Sequence, residues 1–392
     1  MSFVWLRRYG FTLGIIGAVA VGLLFPGACL RWGNVDLRNK WLLLIVIQAV
    51  MFGMGTQMSL RDFRGISRAP RGVLAGIICH FLVMPLVGFG LTKLFDFPKE
   101  IAAGILLIGS CSSGLASNVM AYLARANLPL SVTVTAITTL LAPVMTPFLM
   151  KLLAGTLVEV KFLGMMLEII KIVIVPIGAA LLHDYLKNAS KLGRRVVRLV
   201  AGTGVVWSLF LAVGGWSWLK SHASEGGLVL VSAGGFLLWA AVAGLVYHLL
   251  TLRWPWLQRR APLLSMVGII YFTTVTTAAG RDNLLKVGPL LFAASVLHNG
   301  AGYFFGYWLS RASGLDRNSC RSVAFEVGLQ NGGMASGIAG AMGKLGTMGL
   351  AAAIFSPWMN ISGSLLANYW RDRPVEEPKE ETRQPRPQDM IG

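Results

Sequence analysis

The chain has 392 residues, 55% of them apolar and 13% charged, with a mean hydropathy of +0.65. A water-soluble domain is about half apolar and about a quarter charged, so this composition excludes the soluble enzyme classes. The net charge of +18 does not point to nucleic acid, because the 35 Lys and Arg lie singly between apolar runs, as in the basic loops of a membrane protein.

Arg7 and Arg8 followed by an apolar run to Phe25 resemble a signal peptide. No small-x-small cleavage site follows and the run has the length of a full crossing, so it reads as a retained first helix. Apolar segments follow at 9–26, 41–59, 72–94, 101–125, 129–153, 160–183, 196–219, 227–251, 262–280, 287–310, 319–341 and 346–369. Each is close to the roughly 20 residues a bilayer crossing needs, which predicts twelve crossings and both termini on one side. With the N-terminus cytoplasmic, 23 Lys and Arg fall on that side and 11 on the other, with Lys171 inside a crossing. This bias predicts cytoplasmic termini, and the expected location is the bacterial inner (plasma) membrane. The four Cys (Cys29, Cys79, Cys111, Cys320) have no CxxC spacing and read as free thiols. The tail 371–392 mixes Pro with both charges and almost nothing apolar, which predicts a disordered cytosolic segment.

Ser113-Gly114-Leu115-Ala116-Ser117 is echoed 219 residues later by Gly332-Gly333-Met334-Ala335-Ser336. Each stretch interrupts an apolar segment near its middle. Glycine clusters at matching places in two halves point to paired broken helices and to a transporter binding site between them. Of the 17 acids only Glu168 and Glu326 lie well inside predicted crossings. A charge at that depth costs at least about 2.5 kcal/mol and needs a partner or a task. Glu168 has Lys171 three residues on, which predicts an ion pair on one helix face. Glu326 has no such neighbour and opens the run Glu326-Val327-Gly328-Leu329-Gln330-Asn331-Gly332-Gly333. Unwound backbone there offers carbonyls beside a carboxylate and an amide, hard oxygen ligands for a small cation such as Na⁺. Ser117 and Asn118 open the second half of the fourth segment, and Ser131 and Thr135 share one face of the fifth. The half-helix N-termini near Gly114 and Gly332 carry positive dipole ends that suit an anionic substrate.

These residues resemble the bile acid:sodium symporter family, through MFGMG (51–55), FLVMPLVGF (81–89), ASNVMAY (116–122), LSVTVTAITTLLAP (130–143), EVGLQNGG (326–333) and WMNISGSLLAN (358–368). The resemblance implies an all-α polytopic membrane protein of two inverted five-helix repeats with two crossed discontinuous helices, a core and a panel domain, and alternating access that couples Na⁺ entry to uptake of an organic anion. It divides the chain into 1–59 (panel helices 1 and 2), 60–155 (core helices 3–5, first crossover helix 101–125), 156–190 (panel helix 6), 191–258 (an inserted two-helix hairpin), 259–284 (a panel helix), 285–370 (core, second crossover helix 319–341) and the tail. It implies one Na⁺ site of Ser117, Asn118, Ser131, Thr135 and Glu326. A second would use Glu326, Gln330 and the backbone of Val327 and Leu329. Substrate would touch Gly114, Leu115, Asn331, Gly332 and Asn360.

The chain departs from the family pattern in four places. His80 stands where Gln is usual as a second-site ligand. Imidazole suits Na⁺ less well and takes up a proton near neutral pH, so the expectation is a weakened or proton-sensitive second site. Coupling of two Na⁺ at every pH would contradict it. Leu115 replaces a usual Thr and Met359 a common His, which makes the pocket more apolar. The crossings 196–219 and 227–251 are extra and are expected to flank the panel as a lipid or oligomer contact. The competing readings are a carrier of the same fold with proton-influenced or single-sodium coupling, an intramembrane enzyme and a passive channel. The five His are scattered and no two intramembrane Asp occur, which speaks against the enzyme. The partners expected are an organic anion such as a bile acid or a small carboxylate, and the bilayer, with no nucleic acid; the oligomeric state stays open.

Overall fold

A computed structural model describes residues 2–373 and 375. The rest of the tail lies outside the described residues. The helices of eight residues or more in chain order are α1 (Ser2–Leu24), α2 (Lys40–Gly55), α3 (Pro70–Leu94), α4 (Lys99–Ser110), α5 (Ala116–Leu123), α6 (Leu128–Ala154) and α7 (Phe162–Asn188). Then come α8 (Lys191–His222), α9 (Glu225–Arg253), α10 (Trp256–Ala279), α11 (Arg281–Ala312), α12 (Arg317–Gly328), α13 (Gly332–Ala341) and α14 (Met348–Arg371). A two-residue hairpin pairs Arg31–Trp32 with Val35–Asp36. Among the described residues, eight helices are long and apolar enough to cross a membrane (α3, α6 to α11 and α14). Lys40–Gly55 is shorter, and two of the expected crossings are each divided into a pair, α4 with α5 and α12 with α13. The four Cys are free and buried.

Local sequence sets most of these ends. Pro70 begins α3, and Asn127, Ser190, Ser224, Asp316 and Asn331 cap α6, α8, α9, α12 and α13 by accepting a hydrogen bond from a backbone N–H of the first turn. Asn127 does more than cap. Its Nδ2 donates to Ser319 Oγ at 3.0 Å, and its carbonyl accepts from Ser322 Oγ at 2.8 Å, which ties the start of α6 to the start of α12. Replacing Asn127 with Ala is expected to lower stability by about 0.5–2 kcal/mol, the range for a lost N-cap, read as a lower melting temperature in detergent. An unchanged melting curve would contradict this role.

Two groups of helices result. In one, α10 lies against α1 and α2, α2 against α7, α7 against α9, and α9 against α8. In the other, α3, α4, α5, α6, α11, α12, α13 and α14 pack on one another, and α13 also meets α2. The pair α8 and α9 joins the first group at α7. Its outward side exposes Val205, Val206, Leu209, Val213, Leu230 and Trp239, apolar surface that a bilayer would cover. A π-turn at Ile170–Ile174 interrupts α7, and the Lys171 carbonyl at this turn accepts from Gln48 Nε2 of α2. Glu168 and Lys171 pair at 2.6 Å on α7, as the spacing predicts.

Candidate functional site

The site forms where the two divided segments meet. Helix α4 ends at Ser110, and the extended stretch Cys111–Gly114 leads toward α5; α12 ends at Gly328 and Leu329 is extended. Ser113 and Gln330 face each other as an antiparallel bridge, with Gly114 N–H donating to Leu329 O at 3.0 Å and Asn331 N–H to Ser112 O at 2.9 Å. Each stretch thus satisfies backbone groups that its own helix has released, which apolar surroundings demand. Side chains hold the ends of this crossing. Asn299 of α11 donates to Gly328 O at 2.8 Å and accepts from Ser362 of α14. Gly114 leaves room for the approach: a Cβ there would sit 2.7 Å from Gln330 O.

Glu326 lies inside this crossing, fully buried. Its Oε1 accepts from Ser117 Oγ at 2.5 Å and Ser131 Oγ at 2.5 Å, and its Oε2 from Thr135 Oγ1 at 2.8 Å. Asn118 Oδ1 lies 2.9 Å from Ser131 Oγ and 3.3 Å from Thr135 Oγ1, and Gly114 O lies 2.8 Å from Ser117 Oγ. Each hydroxyl has one hydrogen and faces two acceptors. Hydrogens therefore run out before oxygens do, and several oxygen pairs face each other with nothing between them. Among the described residues, no Lys or Arg pairs with Glu326. A hard cation with oxygen ligands supplies what this cluster lacks.

The other expected ligands are placed differently. His80 is fully buried, with Nδ1 2.9 Å from Glu326 O and Nε2 2.8 Å from Cys111 O. Gln330 Nε2 donates to Val327 O at 2.7 Å, and Leu329 O accepts from Gly114 N–H and from Ser113 Oγ. Of this second set only Gln330 Oε1 is left without a partner. Among the expected substrate contacts, Asn331 is buried; its Oδ1 accepts from Met334 N–H at 3.0 Å as the cap of α13, and its Nδ2 donates to Ser112 Oγ at 3.4 Å. Gly332 lies against Ser356, whose carbonyl accepts from the half-buried Asn360 at 2.7 Å. Leu115 is half-buried beside Gly114, and Met359 is buried.

Sequence reasoning placed Ser113 in the repeated stretch without giving it a role, and missed Thr138 and Asn299. Ser113 Oγ lies 3.4 Å from Ser117 Oγ, and the Ser113 N–H donates to Thr138 Oγ1 at 3.4 Å. Thr138 follows Thr135 by three residues on the face already chosen, a signal that was available. Asn299 is a lone amide in an apolar run and could have been singled out in the same way as Glu326.

A membrane bundle that buries an unpaired carboxylate among hydroxyls, where two helices break side by side, has the build of a secondary transporter. The sequence profile of the sodium bile acid symporter family matches residues 43–217. An uncharacterised sodium-dependent transporter of Bacillus subtilis (strain 168), YocS, is 33% identical over 361 residues, covering 92% of this chain and 90% of that protein. The probable chloroplastic sodium/metabolite cotransporter BASS1 of Arabidopsis thaliana is 29% identical, covering 92% of this chain and 73% of its own. The human ileal sodium/bile acid cotransporter is 29% identical over 294 residues, covering 74% and 66%. The chain belongs to the sodium bile acid symporter family. It is an integral membrane transporter and not an enzyme.

Proposed function

We propose that the protein is a sodium-coupled symporter that carries an organic anion by alternating access. The observation that carries this reading is the oxygen cluster around Glu326, in which acceptors outnumber hydrogens and no cationic side chain balances the carboxylate. One Na⁺ enters among Glu326, Ser117, Ser131, Thr135 and Asn118. Two of these residues lie on α5, two on α6 and Glu326 on α12, so an ion held by all five joins three elements that are otherwise linked by hydroxyl hydrogen bonds. The ion thereby orders the crossing of the two extended stretches and sets the N-termini of α5 and α13 for an anion. The relatives' names as sodium-dependent transporters and sodium/bile acid or sodium/metabolite cotransporters agree with this coupling.

The group of α3 to α6 with α11 to α14 acts as the core in this reading, and α1, α2, α7 and α10 as the panel, with α8 and α9 extending the panel toward lipid. The seam between them runs along α2, α7 and α13. Leu115 favours a substrate with apolar surface over a heavily hydroxylated one.

A thermal-shift screen of bile acids and small carboxylates, with and without Na⁺, tests the reading. The expected result is stabilisation by one anion class that needs Na⁺; equal stabilisation in Na⁺ and K⁺ would contradict it. Replacing Ser131 with Ala removes one ligand and is expected to raise the half-saturating Na⁺ concentration about tenfold or more, since a hydrogen-bonding group on a charged site is worth about 1.5–3 kcal/mol. An unchanged Na⁺ dependence would remove Ser131 from the site.

A further inference from the structure

The geometry points to a single coupling ion: the place where the resemblance implies a second Na⁺ is filled by the His80 side chain. This inference rests on the proposed sodium coupling and adds the number of ions and the residue that sets it. Glu326 O is a carbonyl that α12 has released at its C-terminal end, since the helix stops at Gly328. His80 Nδ1 stands 2.9 Å from that oxygen, while Nε2 stands 2.8 Å from Cys111 O on the opposite stretch. The imidazole therefore bridges the two broken segments at the point where a bound ion would do so.

The remaining oxygens do not make up for it. Val327 O already accepts from Gln330 Nε2, and Leu329 O from the Gly114 N–H that builds the crossing. Gln330 Oε1 alone is free, and one oxygen is not a coordination shell. A hard cation needs several oxygens at once, and the ring offers nitrogen and bulk in their place. A neutral ring donates to only one of the two carbonyls, and in either tautomer it holds the space between them. The side chain is fully buried in α3, with Phe81 edge-on to it at 5.0 Å between ring centroids, so it is packed in place. The ring meets the backbone carbonyl of Glu326 and not its carboxylate, which Ser117, Ser131 and Thr135 hold, so the first ion site is left intact.

The test is equilibrium binding of ²²Na⁺ alone to the purified full-length protein in detergent. The expected count is one ion per molecule for the wild type, none for Glu326→Gln, and two for His80→Gln, whose amide oxygen can replace the ring. A wild-type count of two would overturn the inference, as would a folded His80→Gln protein that still binds one. The wild-type count decides the question even if His80→Gln is not monodisperse on size exclusion. Absence of any wild-type binding would instead overturn the sodium-coupled reading beneath it, so the two failures are distinct.

Discussion

Replacing Glu326 with Gln is expected to abolish sodium-driven uptake, with a loss of at least about a hundredfold. The amide keeps the size of the carboxylate and still accepts from hydroxyls, so the fold should survive. What disappears is the charge. A unit charge about 4 Å from a cation, at an effective dielectric near 20, contributes about 4 kcal/mol, which is roughly three decades in affinity. The variant should also lose its response to ligand. Wild-type protein should melt at a higher temperature as Na⁺ is raised, because the ion binds only the folded state. Glu326→Gln should melt at the same temperature in Na⁺ and K⁺. In Na⁺-free buffer it should be at least as stable as the wild type, because a buried charge without a partner is removed. A variant that still transports, or that is still stabilised by Na⁺, would contradict the role given to Glu326.

Gly114→Ala is expected to damage stability and transport together while leaving every proposed ligand in the sequence. The new Cβ would meet Gln330 O at 2.7 Å and Gln330 C at 3.2 Å. Those are backbone atoms of the opposing stretch, so no rotamer change relieves the clash. The bridge between Ser113 and Gln330 must open, with the Gly114 N–H to Leu329 O bond that belongs to it. Overpacking of this kind costs about 1–3 kcal/mol. Ser117, three residues on, would move away from Glu326, so Na⁺ stabilisation should weaken with the fold. Gly17→Ala in α1 is the matched control, because a Cβ there meets nothing within 4 Å. It should be neutral or slightly stabilising, since Ala is the better helix former. Equal behaviour of the two variants would mean that the crossing is not tightly packed at Gly114.

The helices were legible where the signal is local. Apolar runs of crossing length are such a signal, because each lies within one stretch of chain. Glu326 stood out because a lone acid in an apolar run is costly, and Ser131 and Thr135 because four residues make one helix face. Pairings between distant segments were beyond reach. Ser113 and Gln330 are 217 residues apart, and so nothing local states that they bridge. The same limit hid the tie of Asn127 to Ser319 and Ser322, and the bond from Asn299 to Gly328. It also hid what Asn331 touches in the structure, the Met334 N–H at the start of α13 and Ser112 Oγ on the opposing stretch. His80 was visible as an unusual residue, but what it touches depends on α3, α4 and α12 packing together. The π-turn in α7 has a local sign in Pro176, whose missing N–H leaves a carbonyl of the preceding turn unbonded, but that Gln48 of another helix meets the Lys171 carbonyl has none.

Accumulation of a radiolabelled organic anion by proteoliposomes carrying the purified protein tests the central claim most directly. An inward Na⁺ gradient is predicted to drive uptake above the equilibrium level, with K⁺ in place of Na⁺ giving background and Glu326→Gln giving background in both. Uptake that is equal in Na⁺ and K⁺, or equal in wild type and Glu326→Gln, would contradict it.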